Sequence, residues 1–244
     1  MATSPAPNPA ISARLRDRRF YLFVTILTAA LVFAGFARTF FLNALFAKMQ
    51  LPPLWIIHGV VFSSWIVILV TQSALISSKQ IRIHKKLGYA SIAIVTLMAY
   101  LGFEMSRQAA QRGFTPPGGP PPTTFFAFQL LGLFAFVAFI AAGYLFRNRP
   151  EIHKRLMVSG TVLILTPAVA RIFLIFSTNL VIVKAFALQL AVLLACIAYD
   201  YVTRKRVHLP YVSAVVTLLA LLPMSALVGR TRVWHSLSHW LTGV

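Results

Sequence analysis

The chain offers few groups for acid–base, metal or thiol chemistry: four acidic residues, six histidines and one cysteine among 244 residues. Cys196 stands alone, so no intrachain disulfide, paired-thiol metal motif or c-type haem attachment can form. The histidines are more informative. His58, Trp65 and Gln72 recur at intervals of seven, nearly two full turns of a helix, so they would form one polar stripe. His84 and His153 open two similar stretches, Ile83-His84-Lys85-Lys86-Leu87 and Ile152-His153-Lys154-Arg155-Leu156. Neutral imidazoles facing one another from neighbouring helices would have the geometry of bis-histidine b-type haem ligation. His235 and His239 have the i, i+4 spacing of some metal sites but no third ligand in reach, so no metal is expected there.

The elements that must position these groups are membrane spans. Apolar residues make up 59% of the chain and mean hydropathy is +0.80, while the 11% of charged residues gather in short runs between apolar stretches. A soluble fold would spread those charges over its surface. Seven windows, near 20–37, 52–77, 84–104, 123–146, 153–177, 179–200 and 209–229, suit a hydrocarbon core of about 30 Å, which needs roughly 20 helical residues. The fold class expected is an all-α, polytopic membrane protein. Residues 1–19, with Pro5, Pro7, Pro9 and then Arg14, Arg16, Arg18 and Arg19, are expected to be a disordered basic tail. Gly35-Phe36-Ala37 resembles a signal cleavage site, but the long first apolar run and the apolar stretch after Arg38 favour an uncleaved helix. Residues 230–244 are too polar to span. Val233, Leu237, Trp240 and Leu241 share one helical face, which predicts an interfacial helix with Trp234 and Trp240 as anchors.

Charge sets the expected orientation. Seven alternating crossings place 15 of the 23 lysines and arginines on the N-terminal side and 6 on the other, with Arg171 and Lys184 inside spans. By the positive-inside rule the N-terminus is cytoplasmic and the C-terminus periplasmic. The net charge of +19 therefore points to the bilayer and its anionic lipid headgroups as partners and not to nucleic acid, and no protein partner can be read from it. The longest loop, 105–122, ends in a proline- and glycine-rich spacer on the outer side.

Polar groups inside hydrocarbon are costly, so they mark where function is sought. With a rise of 1.5 Å per residue, Glu104, Gln129, Arg171 and Lys184 come to the level of His58, near the outer leaflet, on four other helices. Glu104 is the only acid there and is the expected partner of Arg171, with Lys184 reaching for the interface. Pro167, one turn before Arg171, would free backbone groups to line a cavity. A ligand site of His58, Trp65, Glu104, Gln129, Arg171 and Lys184 would be cationic and suit an anionic or carbonyl-bearing group such as a quinone head. A second polar group, Gln72, His84, His153 and Asp200, falls at the inner end.

The shared Ile-His-Lys-x-Leu order suggests that 52–104 and 123–177 are two copies of a helical hairpin, which predicts a four-helix core with the first, sixth and seventh spans outside it. The pattern H-x6-W-x6-Q-x9-R-x-H-x2-L-G, formed by His58, Trp65, Gln72, Arg82, His84, Leu87 and Gly88, resembles that of uncharacterised multi-pass membrane proteins of bacteria. The stretch Pro150 to Met157 resembles their second signature, and the likeness, covering about 52–177, implies a bacterial inner membrane and no established activity. A looser similarity to four-helix membrane cytochromes rests on the histidines alone, since this chain lacks two deep histidines on each of two helices. The reading is an inner-membrane protein with a buried polar ligand site. The alternatives are a membrane redox protein binding b-type haem or quinone, and a small-solute transporter limited by having only Glu104 and Asp200 as membrane acids. Alkaline phosphatase fused after Val244 is expected to be active and a fluorescent protein fused there dark, and the reverse would invert the orientation.

Overall fold

The structure, a computed structural model, describes residues 9–243 and is built from α-helices, with no strand among the described residues. In chain order they are α1 (Pro9–Phe36), α2 (Asn43–Phe46), α3 (Pro53–Ser77), α4 (Ile81–Gln111), α5 (Pro122–Leu145), α6 (Pro150–Leu163), α7 (Thr166–Leu174), α8 (Val181–Arg204), α9 (Leu209–Gly229) and α10 (Arg232–Thr242). A five-residue π-helical segment, Ala37–Phe41, prolongs α1. Six helices, α1 with its prolongation, α3, α4, α5, α8 and α9, are each long and apolar enough to cross a membrane, and α6 with α7 reaches that length and hydropathy only as a pair, bent by 43° at its break. The chain is therefore an all-α, multi-pass membrane protein. Prolines in the first turns of α3, α5, α6, α7 and α9 begin those helices where a backbone N–H has no partner to lose.

The first span starts earlier than its composition predicts. Residues 9–19, assigned to a disordered tail, are helical and continuous with α1, while residues 1–8 lie outside the described part. The tail was misread because the only acid among its arginines, Asp17, has partners far away in sequence.

The hairpins α3–α4 and α5–α6 both form and pack closely, but they do not make a self-contained four-helix core. A small apolar cluster joins them through Trp65, Ile66, Met98, Phe136 and Ile140. The larger one lies on the other side of α5 and α6, where Val24, Phe128, Val162, Leu193, Ala214 and Leu218 bring in α1, α8 and α9. Helices α5 and α6 are thus the centre of the bundle. Lipid tails are as apolar as these side chains, so close approach and not water exclusion holds the spans together. Gly35 shows the requirement: a Cβ there would collide with the Ala168 carbonyl where α1 crosses α7.

The bend between α6 and α7 exposes backbone groups that hydrocarbon cannot satisfy. Gln189 of α8, almost fully buried, answers them. Its Nε2 donates to the carbonyls of Val162, at 2.7 Å, and Leu163, at 3.4 Å, while Thr166 Oγ1 donates to its Oε1 at 3.0 Å.

Helix α10 docks through Trp234, Ser238 and Thr242, a face beside its apolar stripe, and Leu241 of the stripe packs there too. The Trp234 indole N–H donates to the Thr123 carbonyl at 3.0 Å, and Gln111 Nε2 donates to the Thr242 carbonyl at 2.8 Å. Trp234 is therefore a buried bracket, 8% exposed, and Trp240, 78% exposed, is the one that faces outward with Val233. Replacing Gln189 by leucine removes the side-chain donor to the Leu163 carbonyl and the acceptor of the Thr166 hydroxyl, while Val162 keeps its bond from the Leu165 N–H, and is expected to destabilise the protein by about 1–3 kcal/mol, read as a lowered unfolding temperature in detergent.

Candidate functional site

The bundle has a basic end, holding the starts of α4, α6 and α9, and an opposite end toward which α10 lies. At the opposite end the expected Glu104–Arg171 pair does not form. Glu104 is held by Arg107, one turn along its own helix, with Nε to Oε2 at 2.8 Å and Nη2 to Oε1 at 2.7 Å, and Gln108 adds a hydrogen bond at 3.1 Å. A neighbour on the same helix needs no long-range closure, so it wins the carboxylate. Arg171 instead donates to the Pro167 carbonyl at 2.9 Å and stacks over the Phe36 ring at 4.5 Å, satisfying its charge from backbone and aromatic face. Lys184 enters no ion pair among the described residues. Trp65 belongs to the core: its indole N–H donates to Thr161 Oγ1 at 3.2 Å and its ring meets Phe136 edge-on. Glu104 and Trp65 are thus engaged within the protein, while Lys184 is not held by an acid.

The other three acids converge at the basic end. Arg155 and Asp200, both 0% exposed, form a bidentate pair with Nε to Oδ2 at 2.7 Å and Nη2 to Oδ1 at 2.6 Å. Arg155 also donates to Glu151 Oε2 at 2.8 Å, and Lys154 bridges Glu151, at 2.9 Å, and Asp17, at 3.1 Å. Arg204 reaches Asp17 and, at 3.0 Å, Glu151, while the Tyr199 hydroxyl donates to Asp17 at 2.9 Å. Lys154, Arg155 and Arg204 balance Asp17, Glu151 and Asp200 in number, so the network closes on itself and ties α1, α6 and α8 together. His208 brings Nδ1 to 2.8 Å from Asp200. Its partial burial and the charge of Arg155 hold its pKa below the usual histidine value, against the pull of Asp200. Arg155, counted as a headgroup-facing charge, is instead the innermost cation of a buried network, and Asp200 joins it there rather than the histidines.

His84 and His153 do come together. Each is the fourth residue of its helix, and their ring centres lie 6.3 Å apart with the planes at 88°. His153 Nδ1 is 2.8 Å from the Gly143 carbonyl. A carbonyl can only accept, so Nδ1 carries the proton and Nε2 of the neutral ring keeps its lone pair. Gly143 permits this contact, because a Cβ there would lie 2.7 Å from Met157 Sδ and push α6 away. The His84 ring faces the backbone carbonyl of Gln72, and its Nδ1 is buried without a hydrogen-bond partner, as is Gln72 Oε1. His153 is thus oriented by a carbonyl of the preceding helix of its own hairpin. Beside them the Tyr144 hydroxyl lies 2.7 Å from Ser91 Oγ and 3.1 Å from the Gly88 carbonyl, locking α5 to α4. Among the described residues no group of three or more His, Cys, Asp or Glu could hold a metal ion, so any metal here would rest on the two imidazoles.

Sequence reasoning missed Asp17, Glu151, Arg155, Tyr144 and Gln189. The signal for two of them was present: in a chain with only four acids, the i, i+4 pair Glu151 and Arg155 at a helix start was worth more than a topology count. Compared with known proteins, this chain has no match among protein-family models, curated proteins or solved structures. Removing one partner of the buried pair, as in Asp200→Asn, is expected to cost about 3–5 kcal/mol, read from unfolding in detergent. The double replacement R155M/D200L should recover much of it.

Proposed function

We propose that this multi-pass membrane protein is a redox protein of the bacterial inner membrane, N-terminus cytoplasmic, that holds a b-type haem between His84 and His153 at its basic end. The observation that carries the reading is the placement of the two imidazoles. Imidazole nitrogens bind metals at about 2 Å, so two opposed ligands put their ring centres roughly 6 Å apart, close to the 6.3 Å found here. Two ligands at adjacent corners of a tetrahedron would be closer together. The surroundings fit as well, since histidine ligands characteristically donate their second N–H to a carbonyl, as His153 does to Gly143.

When bound, the haem would supply one-electron chemistry. The chain's own residues would hold and orient it: His84 and His153 from α4 and α6, with the Gly143 carbonyl fixing the His153 ring. The pair lies one turn inside the basic end, so electron exchange would take place from the basic side. The asymmetry of lysine and arginine, which makes that side cytoplasmic, and the resemblance of the His58 to Gly88 pattern to bacterial multi-pass proteins support the location.

Protein expressed with ample haem and purified in detergent is expected to show Soret and α-band changes on reduction. His84→Ala and His153→Ala should each lower haem content by about tenfold or more, while His58→Ala retains it. Colourless wild-type protein, or haem retained in both inner-end variants, would remove the reading.

A further inference from the structure

A groove of about 450 Å³ opens on the outside of the bundle, between the π-helical end of α1 and the α3 face that runs from Val60 to Ile68. Sites that hold small molecules have volumes of about 300–1,000 Å³, so this one has room for part of a ligand. The sequence makes the groove. The Phe40 ring rests on Gly59, where a Cβ would lie 2.3 Å from it, and Phe41 stacks on Phe33 at 5.2 Å. Bulky rings thus fill the gap between α1 and α3 at that level, while Ser63 and Ser64, further along α3, are too short to fill it. The Ser64 hydroxyl donates to the Val60 carbonyl at 2.8 Å, so it costs little in an apolar setting. Helix α3 also leaves this face open: 17% of its apolar stretch is buried, against 28–39% in the other five long helices.

Depth and charge say what fills it. At 1.5 Å per residue the groove begins about 10 Å along α3 from Pro53 and runs for about 12 Å. One leaflet contributes roughly 15 Å of hydrocarbon, so the groove matches the reach of one acyl chain. At its rim Arg38 stands two residues before Phe40 on the same π-helical turn, exposed, with its guanidinium 6.0 Å from the Phe46 ring of α2. Lys48, on the loop to α3, is exposed as well. Neither meets an acid, because Arg107 holds Glu104 while Lys154, Arg155 and Arg204 hold Asp17, Glu151 and Asp200, and the chain has only four acids. The counter-charge must come from outside the chain. A second copy pairing through this face would bring Arg38 toward Arg38, since a twofold contact sets the same patch against itself. A phosphate fits instead, because the planar guanidinium matches its oxygens two at a time.

We infer that the groove between α1 and α3 binds an anionic glycerophospholipid, one acyl chain lying against Ser63 and Ser64 and the phosphate meeting Arg38, with Lys48 close by. The site does not depend on the haem reading: it lies on the outside of the bundle and shares no residue with it.

The test places one fluorophore beside the groove, through Ile57→Cys in a Cys196→Ala background of the full chain in nanodiscs. Phosphatidylglycerol and phosphatidylcholine carrying the same brominated chains then compete to quench it. Phosphatidylglycerol is expected to reach half-quenching at about fivefold lower lipid fraction, the worth of one cation beside an anionic headgroup. Arg38→Gln should abolish that preference, whereas Arg82→Gln, at the basic end, should leave it. Ser63→Leu fills the groove and should weaken quenching by both lipids. Val67→Phe should do the same from a position 65% exposed, where no packed contact is disturbed. A fluorophore at Val216→Cys on α9, also facing outward at 62% exposure, should show no preference between the lipids. Equal quenching by the two lipids at Ile57→Cys, or a preference that survives Arg38→Gln, would overturn the proposal. So would quenching undiminished in both groove-filling variants, or quenching that falls with protein concentration because a second copy covers the face.

Discussion

A bilayer core has no water to answer a carbonyl, an amide or a charge, and this bundle is arranged around that constraint. Where the chain bends, at the α6–α7 junction, Gln189 replaces the lost helical hydrogen bonds. Where charge is buried, Arg155 and Asp200 meet in bidentate geometry and a ring of neighbours saturates what remains. Both solutions use a side chain on α8 to complete a defect in α6 and α7, which makes α8 the brace of the central helices. The cost of undoing either lies in the stranded partner more than in the lost bond.

Against this background the unsatisfied groups stand out. Where structure alone is served, as around Arg155, donors and acceptors balance. Two places depart from that balance: the basic end of α3 and α4, where Gln72 Oε1 and His84 Nδ1 remain unpaired, and the opposite end of α3 and α5, where Trp55 Nε1, His58 Nδ1 and Gln129 Oε1 do. The two places differ in kind. One brings two imidazoles together from separate helices. The other holds donors and acceptors beside aromatic rings. Neither contains an acid, so neither has the usual means of carrying a proton in a transporter.

The internal repeat acquires physical content from the histidine pair. In each hairpin a carbonyl of the first helix faces a histidine four residues into the second, and the two histidines meet between the hairpins. The repeat does not define the core, because α5 and α6 pack against α1, α8 and α9 as well as against α3 and α4. A duplicated hairpin with one copy central and the other peripheral accounts for why only the second copy bears the buried Arg155: only it has a neighbour, α8, with a carboxylate to offer.

The set of long apolar helices and the shared level of His84 and His153 were legible in the sequence, because both depend on local quantities. Apolar run length decides whether a helix can cross hydrocarbon, and a fixed rise per residue places side chains by depth. Depth, however, says nothing about azimuth. Glu104 and Arg171 share a level and still miss each other, because Arg107 lies closer along the same helix. Asp17 and Arg155 looked like one acid in a basic tail and one cation among many, and only the packing of α1 and α8 against α6 gave them partners 137 and 45 residues away. Rotation of each helix about its axis and the order of helices around the bundle come from side-chain packing among all the spans together. Tertiary structure therefore decided which polar groups close on one another and which stay open for a ligand.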